Sequence, residues 1–209
     1  MKDPVIKLVG KALVRFVKFR EQNTRLFPPQ ITLYPIPFFG DIRRATTLTL
    51  ALNPARTEFN HSRRWLPGLD DFALTTRLLH YFDLPMPQPH PWFGKYQSPL
   101  EAINCSFQTN TAHIDLCPLP TKFRNELSTE QQKYFGSLIE NHSKSHLAGL
   151  LEVAAKAKTV LIIDYTFTQA NGDSTDTSSF IRSNQPILEL LQANNRRLKV
   201  WSPGGFVDL

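Results

Sequence analysis

Apolar and polar positions change rhythm several times along the 209 residues, and each change predicts an element. Over 3–21 apolar side chains return every third or fourth position (Val5, Leu8, Val9, Ala12, Leu13, Phe16, Val17), so an amphipathic helix is expected, opened by Asp3-Pro4. Residues 26–45 carry Pro28, Pro29, Pro35 and Pro37 and are expected to be irregular, apart from a short edge strand over 31–34. Residues 46–52 alternate Thr and Leu, the rhythm of a strand, and the run stops at Asn53-Pro54 because proline removes a donor and fixes φ. A helical period returns over 69–82 through Leu69, Phe72, Leu78, Leu79 and Phe82. Residues 84–91 are proline-rich and predict a loop, and Ser98-Pro99 starts a short helix reaching Ile103. A second strand is expected over 106–116, stopped by Pro118 and Pro120. Residues 128–157 are mostly helical in pattern, in two pieces around His142 and His146. Residues 159–163 form an unbroken apolar run, the pattern of a strand covered on both faces. A polar loop over 169–179, a helix over 186–193 and a strand over 197–201 follow, the last ended by Ser202-Pro203-Gly204-Gly205.

Strands separated by helices predict the α/β class: a three-layer α/β/α sandwich around a central, mostly parallel four-stranded sheet. One domain over 1–209 suffices, with an N-terminal amphipathic helix over 1–25 and the core over 46–205. Hydrophobic residues make up 41 % and charged residues 20 %, ordinary for a globular chain. There is no apolar run of bilayer length and no signal-peptide pattern, and Cys105 and Cys117 form no CxxC pair. These readings point to a reduced, cytoplasmic setting, no membrane partner, a monomer, and no metal or cofactor. Neither a P-loop, a Gly-x-Gly-x-x-Gly loop nor a Gly-x-Ser-x-Gly elbow occurs.

Charge adds one possibility. The net charge is +6, which admits a polyanionic partner. Lys7, Lys11, Arg15 and Lys18 fall at spacings of four, four and three and share a helix face. Arg43-Arg44, Arg63-Arg64 and Arg196-Arg197-Lys199 sit near strand or loop ends, among Trp65, Trp92 and Phe93, which suit nucleobase stacking. A solvated basic surface explains the same residues without a partner.

Candidate chemistry concentrates at strand ends. In an open parallel sheet ligands bind outside the carboxyl ends of the strands, and Asn53 stands at such an end, although Asn-Pro also starts ordinary turns. Asn53-Pro54 resembles motif one of the uracil-DNA glycosylase superfamily in its Gly-Met-Asn-Pro-Gly form. Asp115-Leu116-Cys117-Pro118-Leu119 resembles the Asn-Leu-Cys-Pro-Leu segment of its single-strand-selective monofunctional branch, and Val200-Trp201-Ser202-Pro203 sits where the superfamily has His-Pro-Ser-Pro.

The resemblance implies a four-stranded parallel sheet between helices and the hydrolysis of the N-glycosidic bond of a damaged or deaminated base in DNA. Asn53 would orient the water, Pro54 and Ala55 would line the base site, and Asp115 would occupy the base-reading position beside His113. Trp65, twelve positions after Asn53, or else Phe59, would stack on the flipped base. Ser202 with Gly204 would contact phosphate through the backbone, Pro203 and Trp201 would line the substrate site, and Arg63 and Arg64 would meet the DNA backbone. Three departures stand beside these matches. Leu52 and Ala55 replace the glycines of motif one, Asp115 replaces an asparagine, and Val200 or Trp201 occupies the place of a histidine that donates to the leaving base. With Leu209 last, the DNA-wedging segment after motif two is expected to be short.

Other readings stay open. A non-enzymatic module of the same fold would bind nucleic acid or a free base, and an unrelated small-molecule hydrolase shares only the fold class. Glu140, His142 and His146 include a pair at metal-ligand spacing, though an exposed polar helix face is the expectation. Cys117 near His113 suggests a thiol nucleophile, or an inert buried thiol.

Overall fold

The computed structural model describes residues 3–22, 35–51, 54, 70–83, 89–116, 118, 144–163, 185–194, 196–202 and 205–208. The chain opens with α1 (Pro4–Gln22), whose first turn is capped by the Asp3 carboxylate accepting from the Val5 amide at 2.8 Å. Val5, Val9 and Ala12 are buried, while Lys7, Lys11, Arg15 and Lys18 are exposed, so the basic stripe faces solvent.

The strands are β1 (Phe38–Phe39), β2 (Thr47–Ala51), β3 (Thr111–Asp115), β4 (Thr159–Ile163), β5 (Arg197–Ser202) and β6 (Gly205–Asp208). They form one six-stranded sheet in the order β1-β3-β2-β4-β5-β6. The four inner strands β3, β2, β4 and β5 are parallel, and β1 and β6 pair antiparallel at the edges. The fold is thus mixed α/β, with two edge strands added to the four that the sequence pattern predicts. The expected edge strand over 31–34 lies outside the described residues; the observed one is Phe38–Phe39.

Helix α2 (Asp71–Leu79) is capped by Asp70, whose carboxylate accepts from the Ala73 amide at 2.7 Å. It stops before the expected Phe82 because the Leu78 carbonyl accepts from the Gly40 and Tyr81 amides. Tyr81 and Phe82 then turn into an aromatic cluster with Phe39, Phe93 and Phe107. Phe72, expected on the apolar face, is 63 % exposed, and Leu74, Leu78 and Leu79 carry the contact. Gly40 has φ +87°, and a Cβ there would come within 2.9 Å of the Phe82 ring, so only glycine fits this bend.

A 3-10 helix (Pro91–Tyr96) runs into α3 (Gln97–Glu101). Residues 144–153 form α4, and Gln185–Ala193 form α5. The strand expected over 106–116 begins only at Thr111. Residues before it close a turn instead: the Asn110 side chain accepts from the Ser106 amide at 3.0 Å, and the Asn110 and Thr111 amides donate back to the Ser106 carbonyl. Such side-chain bonds compete with the ladder. Gly205, expected to end the last strand, instead starts β6 at φ +111°, a conformation that favours glycine.

Both faces of the sheet are covered. Val160 and Ile162 of β4 join the main core with Leu48, Leu50, Ile114 and the buried faces of α1, α2, α4 and α5. Leu161 and Ile163 point the other way and join Tyr96 and Leu100. His146 is buried on α4, not on the exposed polar face expected of it. No described helix is long and apolar enough to cross a membrane.

Candidate functional site

The parallel strands fix where a ligand site belongs. From β2 the chain first adds β3 on one side and later β4 on the other, so the strand order reverses between β2 and β4. In doubly wound sheets the crevice opens at that reversal, outside the carboxyl ends of the strands. Thr49 pairs with Leu161, so Ala51 and Ile163 stand level two residues on; Ala51 pairs with Asp115, and Ile163 with Trp201. Asp115, Ala51, Ile163 and Trp201 therefore form a row across the carboxyl end, on one face. Three strand spacings separate its ends, about 14 Å.

One end of the row is polar and buried. Asp115 and His113 are each 1 % exposed. They share a face of β3 by the two-residue period, opposite Ala51 and Thr49 of β2. The Thr49 hydroxyl and His113 Nδ1 share a hydrogen bond at 2.7 Å. That bond turns His113 Nε2 toward Asp115 Oδ1, 3.5 Å away, a contact too long to satisfy the carboxyl. Neither Asp115 oxygen has a hydrogen-bond partner among the described residues. Burial holds the Asp115 carboxyl above the ordinary carboxylate range, and His113 offsets part of that rise. The surrounding shifts the balance toward the neutral carboxyl. That form carries one donor and one acceptor, like a carboxamide.

Aromatic rings enclose the imidazole. Trp92, Phe93, Tyr96 and Phe39 lie with their centroids 5.1 to 5.8 Å from that of His113. The 3-10 helix delivers three of them because Pro91 starts it and His90 Nδ1 caps it, accepting from the Trp92 amide. Trp92 is partly exposed and Tyr96 is buried.

The other end of the row is Trp201. It packs edge-on against Phe206 of β6 and lies two strands from β2, so it does not touch the Asp115 group. Val200, which the Ser202-Pro203 alignment sets at the place of the missing histidine, is buried in the main core. Ser202 ends β5 opposite Gly205. Pro54 is buried just beyond β2. Asn53, Ala55, Phe59, Arg63, Arg64, Trp65, Cys117, Glu140, His142, Pro203 and Gly204 lie outside the described residues.

Sequence reasoning did not single out Thr49 or Tyr96. For Thr49 a signal existed: threonines at alternate positions of a strand buried on both faces, where each hydroxyl needs a partner. Among the described residues no group of three or more His, Cys, Asp or Glu side chains is placed to hold a metal ion. Cys105 is a free thiol, its sulfur 3.3 Å from the Thr47 hydroxyl. A surface hollow of about 520 Å³ lies between Asp3, Arg43 and Glu152, near the amino end of β2 and so away from the row. Comparison of the chain with protein-family models, with curated proteins and with solved structures finds no match.

Proposed function

We propose that this chain is a uracil-DNA glycosylase-like protein that hydrolyses the N-glycosidic bond of a damaged or deaminated base in DNA. The observation that carries the reading is Asp115: a buried carboxyl whose oxygens have no hydrogen-bond partner among the described residues, at the carboxyl end of an inner parallel strand. The four parallel inner strands, with helical segments against both faces, support the same reading. In the chemistry proposed, the nucleotide leaves the stack and its base enters the crevice. Asn53 orients a water through its side-chain oxygen. The water oxygen bonds to the anomeric carbon as the bond to the base breaks, through a cation-like sugar whose charge DNA phosphates stabilise; the bonding pair leaves with the base as an anion, and the proton the water loses passes through solvent to that base. Neutral Asp115 presents a donor and an acceptor to the base, matching the N3–H and O4 of uracil. Once ionised it only accepts and faces O4 unfavourably.

The sign of the pH response follows. The useful form is protonated and its pKa is raised, so uracil release is strongest at low pH and is lost as pH rises through that raised value. Asp115→Asn supplies donor and acceptor at every pH. The test is single-turnover release of uracil, hypoxanthine, xanthine and alkylated bases from oligonucleotides, from about pH 5.5 to 8.5. The variant is expected to release uracil faster near neutral pH and with a flat pH response. Identical profiles for the two proteins would remove Asp115 from the base.

A second reading is favoured by one specific observation. Of the two residues at the missing histidine, Val200 is buried in the core and Trp201 packs edge-on against Phe206, and neither can donate to a leaving base in the way an imidazole does. A non-enzymatic module of this fold would bind the same DNA without releasing a base.

A further inference from the structure

Trp201 and Phe206 face each other across the β5–β6 hairpin, with centroids 4.7 Å apart and planes at 70°, and both are partly exposed. The Lys199 ammonium lies 5.3 Å from the Phe206 centroid. By the two-residue period Arg197, Lys199 and Trp201 share one face of β5, and Arg197 is exposed. The exposed Lys158 adjoins them, its carbonyl accepting from the Arg197 amide at 2.8 Å. Lys199, Arg197 and Lys158 thus supply positive charge along this strip beside the two rings.

We infer that the β5–β6 hairpin is a stacking platform for an unpaired base of a single-stranded nucleic acid, beside the crevice at the carboxyl end of the sheet. Two features point to that occupant. Aromatic faces next to cations match bases next to phosphates, and the +6 chain suits a polyanion. A duplex hides its base faces within the stack, so the rings have a partner only where bases are unpaired. Trp201 ends the row that Asp115 begins, so a strand held there runs past the crevice. The inference rests on the nucleic-acid partner of the proposed function, not on base release.

Binding alone tests it. The full chain is titrated into labelled oligothymidylate of about 12 nucleotides, and into a duplex of equal length, at low salt and followed by anisotropy. Wild type is expected to prefer the single strand. Trp201→Leu and Phe206→Leu, which keep apolar bulk, should each weaken that binding about tenfold to a hundredfold, whereas Trp201→Phe keeps most of it. Circular dichroism of each variant confirms the fold, and a variant that unfolds is replaced by Trp201→Met. Unchanged affinity in the folded leucine or methionine variants overturns the platform, as does a wild-type preference for duplex. Equal, ring-dependent binding of polyglutamate also overturns it, by making the surface one for acidic peptides. Duplex binding without single-strand preference refutes the platform and leaves the glycosylase reading standing. No binding to either nucleic acid refutes both.

Discussion

Asp115 and His146 put opposite pH slopes on the stability of the fold. Burial raises the Asp115 carboxyl above its ordinary value of 3.8, so the folded chain holds a proton that the unfolded chain has released. Stability from this group is present at low pH and falls as pH climbs from the unfolded to the folded value. His146 runs the other way: burial, helped by nearby Arg15, pushes it from 6.5 down to about 3, so folding excludes a proton. Its stability is present above 6.5 and is lost as pH falls toward about 3. In wild type the slopes oppose each other where the two ranges overlap. Asp115→Asn should therefore leave thermal stability rising more steeply with pH than in wild type. His146→Leu, which removes a buried imidazole whose Nε2 has no hydrogen-bond partner among the described residues, should hold stability on acidification and show the Asp115 decline alone. Calorimetric midpoints of the three proteins from about pH 4 to 8 check this. Parallel curves would mean that these groups titrate alike in folded and unfolded chains.

The helices and edge strands rest on short-range chemistry that single changes can isolate. Asp70→Ala removes the side-chain bond that caps the start of α2 and should cost about 1 kcal/mol, read as a lower midpoint in urea with an unchanged slope. Gly40→Ala should cost more, since it adds strain at φ +87° to a clash with Phe82. The elements legible in the sequence were those whose period is carried by their own residues. The Val5, Val9 and Ala12 face gave α1, and the unbroken run 159–163 gave β4. Strand β1 was not legible because two residues cannot show a period, and what defines it is its register with Ile114 and His113, far along the chain. Strand β6 was hidden because Pro203-Gly204-Gly205 reads as a stop, although it equally suits a reversal. Asn110 shortened β3 through side-chain bonds that an alternating pattern does not reveal. Of the candidate site, Asp115 and His113 could be placed on one strand face from their spacing. Thr49 could not be added, because its hydrogen bond to His113 crosses 64 residues of chain.

At the scale of the molecule, charge and topology divide the labour. The stripe on α1 lies on the solvent side of a helix whose inner face joins the main core, whereas the row from Asp115 to Trp201 lies on the opposite face of the sheet. On the proposed DNA-binding reading, affinity should fall with salt by a log–log slope of about −0.9 per phosphate neutralised on duplex, or about −0.7 on a single strand. Replacing Arg63 and Arg64 should weaken binding to all sequences alike, seen as a shallower slope in a salt titration. A slope that stays unchanged would take these arginines off the phosphates. In the proposed chemistry Asn53 has a different task, because there it would act on water in the transition state and not on the backbone. The most direct measurement is single-turnover base release by wild type and Asn53→Ala on DNA at saturating protein. The expected result is a loss on the order of 10²-fold or more with DNA affinity nearly intact. An unchanged rate would make Asn53 only a turn residue, and no release of any base by wild type would contradict the glycosylase reading.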